Sequence, residues 1–514
     1  MSEINEGKTP RQQGVSNDFF GLNRPQYAST PEVFLSSLAW RSVGATSGKA
    51  PVGSGDGAHQ GVVYARVTRP TKGNREIRET APRDGDQNWE MLVSALGQEF
   101  QFEGDSSASR AASVLVDDLI GNVPARAQSK AVMPLNLVTA LMQDIPGMMG
   151  VANPPNFGSI LERMYQLGGG DGSAADRLLR AYGAMAGSHD GRDSWFDDAT
   201  RAMAPTEIKR FVDEKSEVNS STADHHRVSP LWLEDGNTPF HWFTKAWNNL
   251  TAGHWACQMP RRRWVDWASC VLRTAIGLGF LFEMDFYYRL VLALNRSEPE
   301  DEEARRLIGL GETFLTWDGF SSVSSRDIAG HIRTTCERGT ACRKLLVETW
   351  GSYASCPIPP AEVYANDRAG LSLWLRDARQ WFRDETDREE KELERRQALT
   401  SAGVGRASNN VYETVAYTLL DRGTQGISED LYSLFKKRGR RYTIIEPGQE
   451  WLVVVASLCA TDAGGMSRLS DVVSAVESLG VKVGLKTLTR ELERTGLARA
   501  SHDADDAIEV VAAF

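Results

Sequence analysis

The sequence predicts a mainly α protein: a multi-helical body with a few strands, followed by a C-terminal domain that ends in three helices and a hairpin. Three observations lead there. Apolar residues at helix spacing, cut by glycine-rich breaks, run from about 110 to 210. An aromatic-rich apolar stretch fills 239–294. Residues 449–514 alternate apolar helical patterns with glycine stops and finish on two short strand patterns.

A chain of 514 residues exceeds the roughly 250–300 at which one core stops growing, so two or three domains are expected. The natural divisions are 1–105, a flexible region with short strand and helix elements; 106–400, the helical body; and 401–514, the C-terminal domain. With 41% hydrophobic residues and 14 Trp, 18 Phe and 12 Tyr, wholesale disorder is excluded. The net charge of −10 excludes a protein that coats nucleic acid with its whole surface, so any such contact is local. Six cysteines, at 257, 270, 336, 342, 356 and 459, are too sparse for a disulfide framework, and the opening MSEINEGKTPRQQ has no apolar signal core. A reducing cytoplasm is the expected compartment. Val271–Leu294 approaches membrane character, but Arg273, Glu283, Asp285 and Arg289 interrupt it, which predicts a buried core helix and no membrane partner.

Along the chain, residues 1–60 read as loop apart from the apolar island Pro31–Trp40, where Pro31 suits a first helical turn. Gly61–Val67 is β-branched and aromatic and reads as a strand. Helices are predicted over Ala111–Ile120, Leu135–Gln143, Ile160–Leu167, Ala174–Met185 and Trp195–Met203. Residues 209–237 are polar and read as irregular around Asp224-His225-His226. The acidic run Glu298–Glu303 ends the aromatic stretch, and further helices are predicted over 301–315, 325–336, 341–350 and 360–398. The last of these ends in Arg383–Arg396, whose alternating signs suit an exposed helix laced with i,i+4 pairs. Ser401–Ser408 reads as a hinge.

Within 449–514, Gln449–Ala460 and Leu469–Leu479 are apolar helices, Gly480 stops the second, a third covers about Leu485–Arg494, and Gly496 stops that. Leu497–Val511 then reads as strand, polar turn and strand. This order and these lengths predict a winged helix-turn-helix. Lys482, Lys486, Arg490 and Arg494 recur every four residues and share one face of the third helix and its lead-in, as a groove-reading helix requires. Asp503, Asp505 and Asp506 at the wing tip would repel phosphates, so DNA contact and protein contact both stay open. Just upstream, Lys436, Lys437, Arg438, Arg440 and Arg441 form a second basic patch leading into a predicted strand, Tyr442–Ile445.

The succession Lys437–Tyr442, Gln449–Ala460, Leu469–Val473 with Gly480-Val481, and Thr495–Leu497 with Asp503–Ala507 resembles the C-terminal end of accessory subunits from bacterial anti-phage loci: the DptG-type component of phosphorothioation-dependent restriction and its counterparts in methylation-associated defence systems. The resemblance implies a subunit working beside a motor ATPase and DNA-modifying partners, with no established active site to transfer; double-stranded DNA is a further candidate partner.

Tests for chemistry are sparse in their yield. His254 and Cys257 have His-x-x-Cys spacing with Cys270 beyond, and Cys336 and Cys342 have five residues between them, but none makes paired short-spaced zinc ligands; buried packing cysteines are the expected reading, with no metal and no cofactor. Arg326 and His331 show the Arg-x4-His spacing of HEPN-type ribonucleases, which keeps an RNA-cleaving effector as an alternative, as a winged-helix transcriptional regulator is another. No Walker loop or nucleophile elbow is present, and Gly168–Gly172 follows a helix and not a strand. Arg261-Arg-Arg-Trp264 reads either as a base-stacking cluster or as a helix start at the edge of the aromatic core. The expectation is therefore a non-enzymatic subunit of a multi-protein defence complex, contacting DNA or a partner through its C-terminal domain.

Overall fold

The computed structural model describes residues 20–26, 30–43, 65–71, 74–80, 87–104, 106–120, 131–145, 155–188, 194–204, 206–217, 233, 237–296, 299–308, 315–317, 328–352, 368–387, 389–400, 406–422, 430–438, 442–500 and 508–514. The architecture is mainly α, as predicted. The helices are α1 (Glu32–Ser42), α2 (Gln87–Glu99), α3 (Ala108–Ser113), α4 (Leu137–Leu141), α5 (Phe157–Leu167), α6 (Ala174–Ser188), α7 (Ser194–Met203), α8 (Thr206–Glu217), α9 (Pro239–Leu250), α10 (Gly253–Gln258), α11 (Arg261–Asn295), α12 (Glu300–Ile308), α13 (Ile328–Ser352), α14 (Arg368–Thr386), α15 (Glu389–Thr400), α16 (Arg406–Leu419), α17 (Gln449–Ser457), α18 (Leu469–Ser478) and α19 (Leu485–Arg494), with a π-helical stretch at Val114–Leu119. The strands are β1 (Ala65–Thr71), β2 (Asn74–Thr80), β3 (Leu315–Trp317), β4 (Phe435–Arg438), β5 (Tyr442–Ile445), β6 (Met466–Arg468), β7 (Val481–Val483), β8 (Ala498–Ala500) and β9 (Ile508–Val511).

The axis of the body is α11. Its 35 residues make a rod of roughly 50 Å at the α-helical rise, apolar on nearly every side, and such a helix is stable only if surrounded. It packs on α1, α5, α9, α13, α14 and α16. Among the described residues it is the one helix long and apolar enough to cross a membrane, and 94% of its most apolar window is buried inside the fold. Its ionisable residues are partnered there. Arg273 reaches Asp430 at 2.8 Å, Asp285 pairs with Arg289 at 2.7 Å, and Glu283 faces Arg343 of α13 at 3.5 Å.

Around this rod three buried tryptophans have their N–H groups satisfied: Trp247 donates to the Ala174 carbonyl (3.0 Å), Trp264 to that of Leu250 (2.9 Å) and Trp40 to that of Gln143 (2.6 Å), whereas Nε1 of Trp267, on α11 itself, has no acceptor among the described residues. The chain enters the core early. Phe20, fully buried, sits among Phe240, Phe282, Phe286 and Tyr287 with ring centroids 4.8–6.2 Å away, and its carbonyl accepts from Arg163 Nε at 2.6 Å.

Several elements differ from the sequence expectation. The two helices predicted at 325–336 and 341–350 are one, α13, which continues through Gly339. That glycine lies where α13 crosses α11; an added Cβ would stand 2.3 Å from the Met284 carbonyl oxygen. The predicted helix 360–398 is instead α14 and α15, split near Asp387, and residues before 368 lie outside the described ones. Part of the supposedly irregular 209–237 belongs to α8, and the remainder to 232, including Asp224, His225 and His226, is outside them. Of the predicted strand Gly61–Val67, residues 65–67 open β1, which pairs antiparallel with β2. The predicted helix 301–315 ends at Ile308, and Leu315 begins β3.

Candidate nucleic-acid interface

The C-terminal unit runs α17, β6, α18, β7, α19, β8, β9, with β6, β9 and β8 forming one antiparallel sheet in that order. Its helix ends follow from the glycines. Gly480 and Gly496 both have φ of 76°, a left-handed conformation that side chains resist. At the end of α19 the Gly496 N–H bonds the Glu493 carbonyl and the Leu497 N–H the Leu492 carbonyl, both at 3.0 Å, a Schellman stop. At the start of α18 the Asp471 carboxylate accepts from the Arg468 N–H at 2.9 Å.

Leu488 and Leu492 turn α19 inward and are fully buried. Lys486, Arg490 and Arg494, at i, i+4 and i+8, are exposed on its other side, and Lys482 is exposed on β7. Arg490 Nε and Arg494 Nη1 share the Glu491 carboxylate at 3.4 and 3.5 Å, so one charge of that pair is offset. Lys482 and Lys486 have no carboxylate partner among the described residues.

The second patch sits on the β4–β5 hairpin. Its root is closed by the Glu446 N–H on the Leu434 carbonyl (3.1 Å) and the Gly448 N–H on that of Ser433 (2.8 Å), and it is anchored to the end of α16 by buried Phe435, whose carbonyl accepts from the Asp421 N–H (2.8 Å), and by the Leu434 N–H, which donates to the Leu419 carbonyl (3.0 Å). Lys437 is exposed, Lys436 lies 3.4 Å from Glu446, and Arg438 is the register partner of Tyr442, whose side chain is 55% exposed. Arg440 and Arg441 lie outside the described residues, as do Asp503, Asp505 and Asp506.

What the sequence did not show is that the strands beside these patches are linked. The short strand β3 pairs in parallel with β7, placing Thr316 opposite Lys482, and β3 also packs against β5. Hairpin, β3, β7 and α19 therefore follow one another across the molecule. The unit is held to the body by Trp451 Nε1, which donates to Thr274 Oγ1 (3.1 Å), by Asn249, which donates to the Leu458 and Ala460 carbonyls (2.9 and 3.1 Å), and by Trp255, which donates to the Thr461 carbonyl (3.0 Å).

The other candidates resolve differently. His254 contacts the Thr461 carbonyl through Nε2 at 2.6 Å. Cys257 is half-buried, whereas Cys270, Cys336 and Cys342 are buried, and burial pushes these three thiols up to about 12. Among the described residues no group of His, Cys, Asp and Glu converges as a metal site would. His331 is exposed in the first turn of α13, and Arg326 lies outside the described residues. The arginines at the start of α11 are engaged internally. Arg261 makes a bidentate pair with Asp197 (2.6 and 2.8 Å), Arg262 pairs with Asp266 (3.3 Å), and Arg263 donates to the Tyr432 hydroxyl (2.7 Å). This is a helix start at the edge of the aromatic core. Comparisons with protein-family models, with curated proteins and with solved structures return no match.

Proposed function

We propose that this chain is a non-enzymatic subunit of a multi-protein bacterial anti-phage complex in the cytoplasm, whose C-terminal unit is a winged helix that contacts double-stranded DNA. The observation that carries the DNA contact is the outward face of α19, where Lys486, Arg490 and Arg494 are exposed while Leu488 and Leu492 are buried. A helix that is anchored on one side and cationic on the other is what groove docking requires. The order helix, strand, helix, short strand, helix, hairpin, with β6, β9 and β8 in one antiparallel sheet, supports the winged-helix reading. The resemblance of the C-terminal residues to defence accessory subunits supports the setting, and with it partners such as an ATPase or a DNA-modifying enzyme. The net charge of −10 is consistent with contact confined to one face.

The test is a mobility-shift titration of the full chain on duplex DNA at low salt. Replacing Lys486, Arg490 and Arg494 together by Ala is expected to weaken binding by about tenfold or more, since each lost phosphate contact removes a counterion-release contribution. Affinity equal to that of the unaltered chain would reject the DNA contact.

A further inference from the structure

We infer that the segment Phe20–Gln26 is a proton-gated strap, held shut across the helical body while the carboxyl of Glu283 is protonated and released as that proton is lost. The strap is neither helix nor strand. Among the described residues it makes no backbone–backbone hydrogen bond and is held by side chains of the body. Arg163 Nε of α5 donates to the Phe20 carbonyl at 2.6 Å, and Arg343 Nη2 of α13 donates to that of Leu22 at 3.4 Å. Asn156, just before α5, donates to the Arg24 carbonyl (2.9 Å) and accepts from the Gln26 N–H (3.0 Å). Phe20 and Leu22 are buried, the phenyl ring lying between Phe240 of α9 and Phe282, Phe286 and Tyr287 of α11. A segment tied only by such separate bonds, with no ladder or helical turn of its own, is able to open while the core stays folded.

One guanidinium joins the strap to Glu283. Arg343 Nη1 stands 3.5 Å from Glu283 Oε1 while Nη2 reaches the Leu22 carbonyl. Glu283 is fully buried, and neither of its oxygens has a hydrogen-bond donor among the described residues. A neutral carboxyl tolerates such surroundings at modest cost, whereas a carboxylate needs donors to replace its lost water. Once ionised it gains them in one of two ways: Arg343 turns fully onto it and leaves Leu22, or water enters past the strap. Both loosen the strap, so the closed state favours the protonated carboxyl and the open state the ionised one. Burial accordingly pushes this carboxyl up to about 7, against the pull of Arg343. Among the described residues Arg343 is the one charged group that acts on it. Arg163 of α5 is turned to the Phe20 carbonyl, Asp285 on α11 pairs with Arg289, and Tyr287, one turn on, has its ring 5.6 Å from the Arg343 guanidinium. Because the closed state binds the proton more tightly, opening becomes more favourable as pH rises from the ordinary carboxylate range to about 7 and levels off above it.

The experiment places a thiol in the strap by Leu22→Cys and follows its alkylation in the full chain at pH 6 and 8. Each site is read by peptide mass spectrometry, and the pH dependence of a free thiol is divided out. Cys270, buried on α11, reports opening of the core in the same sample. The strap thiol is expected to react faster than Cys270 by about tenfold or more, and its corrected rate is expected to rise about tenfold from pH 6 to 8. Adding Glu283→Gln is expected to abolish that rise. Arg343→Lys gives a second check, because one ammonium cannot hold both Glu283 and the Leu22 carbonyl: the strap thiol is expected to react faster already at pH 6. Equal rates at the two thiols would show that the strap opens only with the whole fold and would overturn the inference. A rise with pH that survives Glu283→Gln, or a rate at pH 6 indifferent to Arg343→Lys, would overturn it as well.

Discussion

The carboxyl of Glu283 shows how a single side chain records its surroundings. It is fully buried on α11, neither oxygen has a hydrogen-bond donor among the described residues, and its compensation is the Arg343 guanidinium at 3.5 Å. Burial pushes its pKa up to about 7, against the pull of Arg343. The unfolded value is lower, so between about pH 4.5 and 7 the folded state binds more protons, and stability falls as pH rises through that window. Glu283→Gln is expected to remove this fall, which amounts to on the order of 3 kcal/mol. The check is chemical denaturation of both proteins at pH 5.5 and 8: a slope that persists in the variant would mean that another group is responsible. Asp430 behaves in the opposite way. Burial pushes its carboxyl up, but the Arg273 and Arg422 guanidiniums draw it down to about 2. In the sequence Glu283 and Arg273 read only as interruptions of an apolar run. Their partners lie far along the chain, and distant pairing of this kind leaves no local pattern.

At the scale of elements, legibility tracks length and periodicity. The helix α19 was predicted to its ends, because Leu488 and Leu492 set its inward face and Gly496 its stop. The three-residue strands β3 and β7 escaped notice, since three residues establish no alternation and their pairing joins positions far apart in sequence. The helices expected at 325–336 and 341–350 are continuous through Gly339 for a different reason. A glycine inside a helical pattern suggests a break, yet here it is the thin point that lets α13 approach the backbone of α11. The two causes make opposite predictions for alanine. If Gly339 were merely a weak helix former, Gly339→Ala would stabilise by up to about 1 kcal/mol. With the Met284 carbonyl oxygen 2.3 Å from the new Cβ, it is expected to destabilise by about 1–3 kcal/mol. Gly183 in α6, with open space around it, serves as the control, and Gly183→Ala is expected to stabilise by up to about 1 kcal/mol. Thermal unfolding of the two variants checks the signs, and stabilisation in both would show that the crossing is looser than described.

For the whole molecule the main consequence is continuity. The β4–β5 hairpin and β7, which the sequence separates by some forty positions, are linked through β3, a strand contributed by the body, and the C-terminal unit is fastened to α9, α10 and α11 by hydrogen bonds from Asn249, Trp255 and Trp451. The individual cations were legible as residue types at helical or strand spacing. The link between the strands that carry them was not, because it depends on the parallel pairing of Thr316 with Lys482. On this view α19 and the hairpin act as one surface on one duplex. The most direct measurement is the dependence of duplex affinity on salt concentration. It compares the unaltered chain with a helix variant (Lys486, Arg490 and Arg494 to Ala), a hairpin variant (Lys437, Arg440 and Arg441 to Ala) and their combination. Each set is expected to flatten the slope of log affinity against log salt, and the two reductions are expected to add in the combined variant. A slope indifferent to the hairpin set, or to both, would contradict a shared surface.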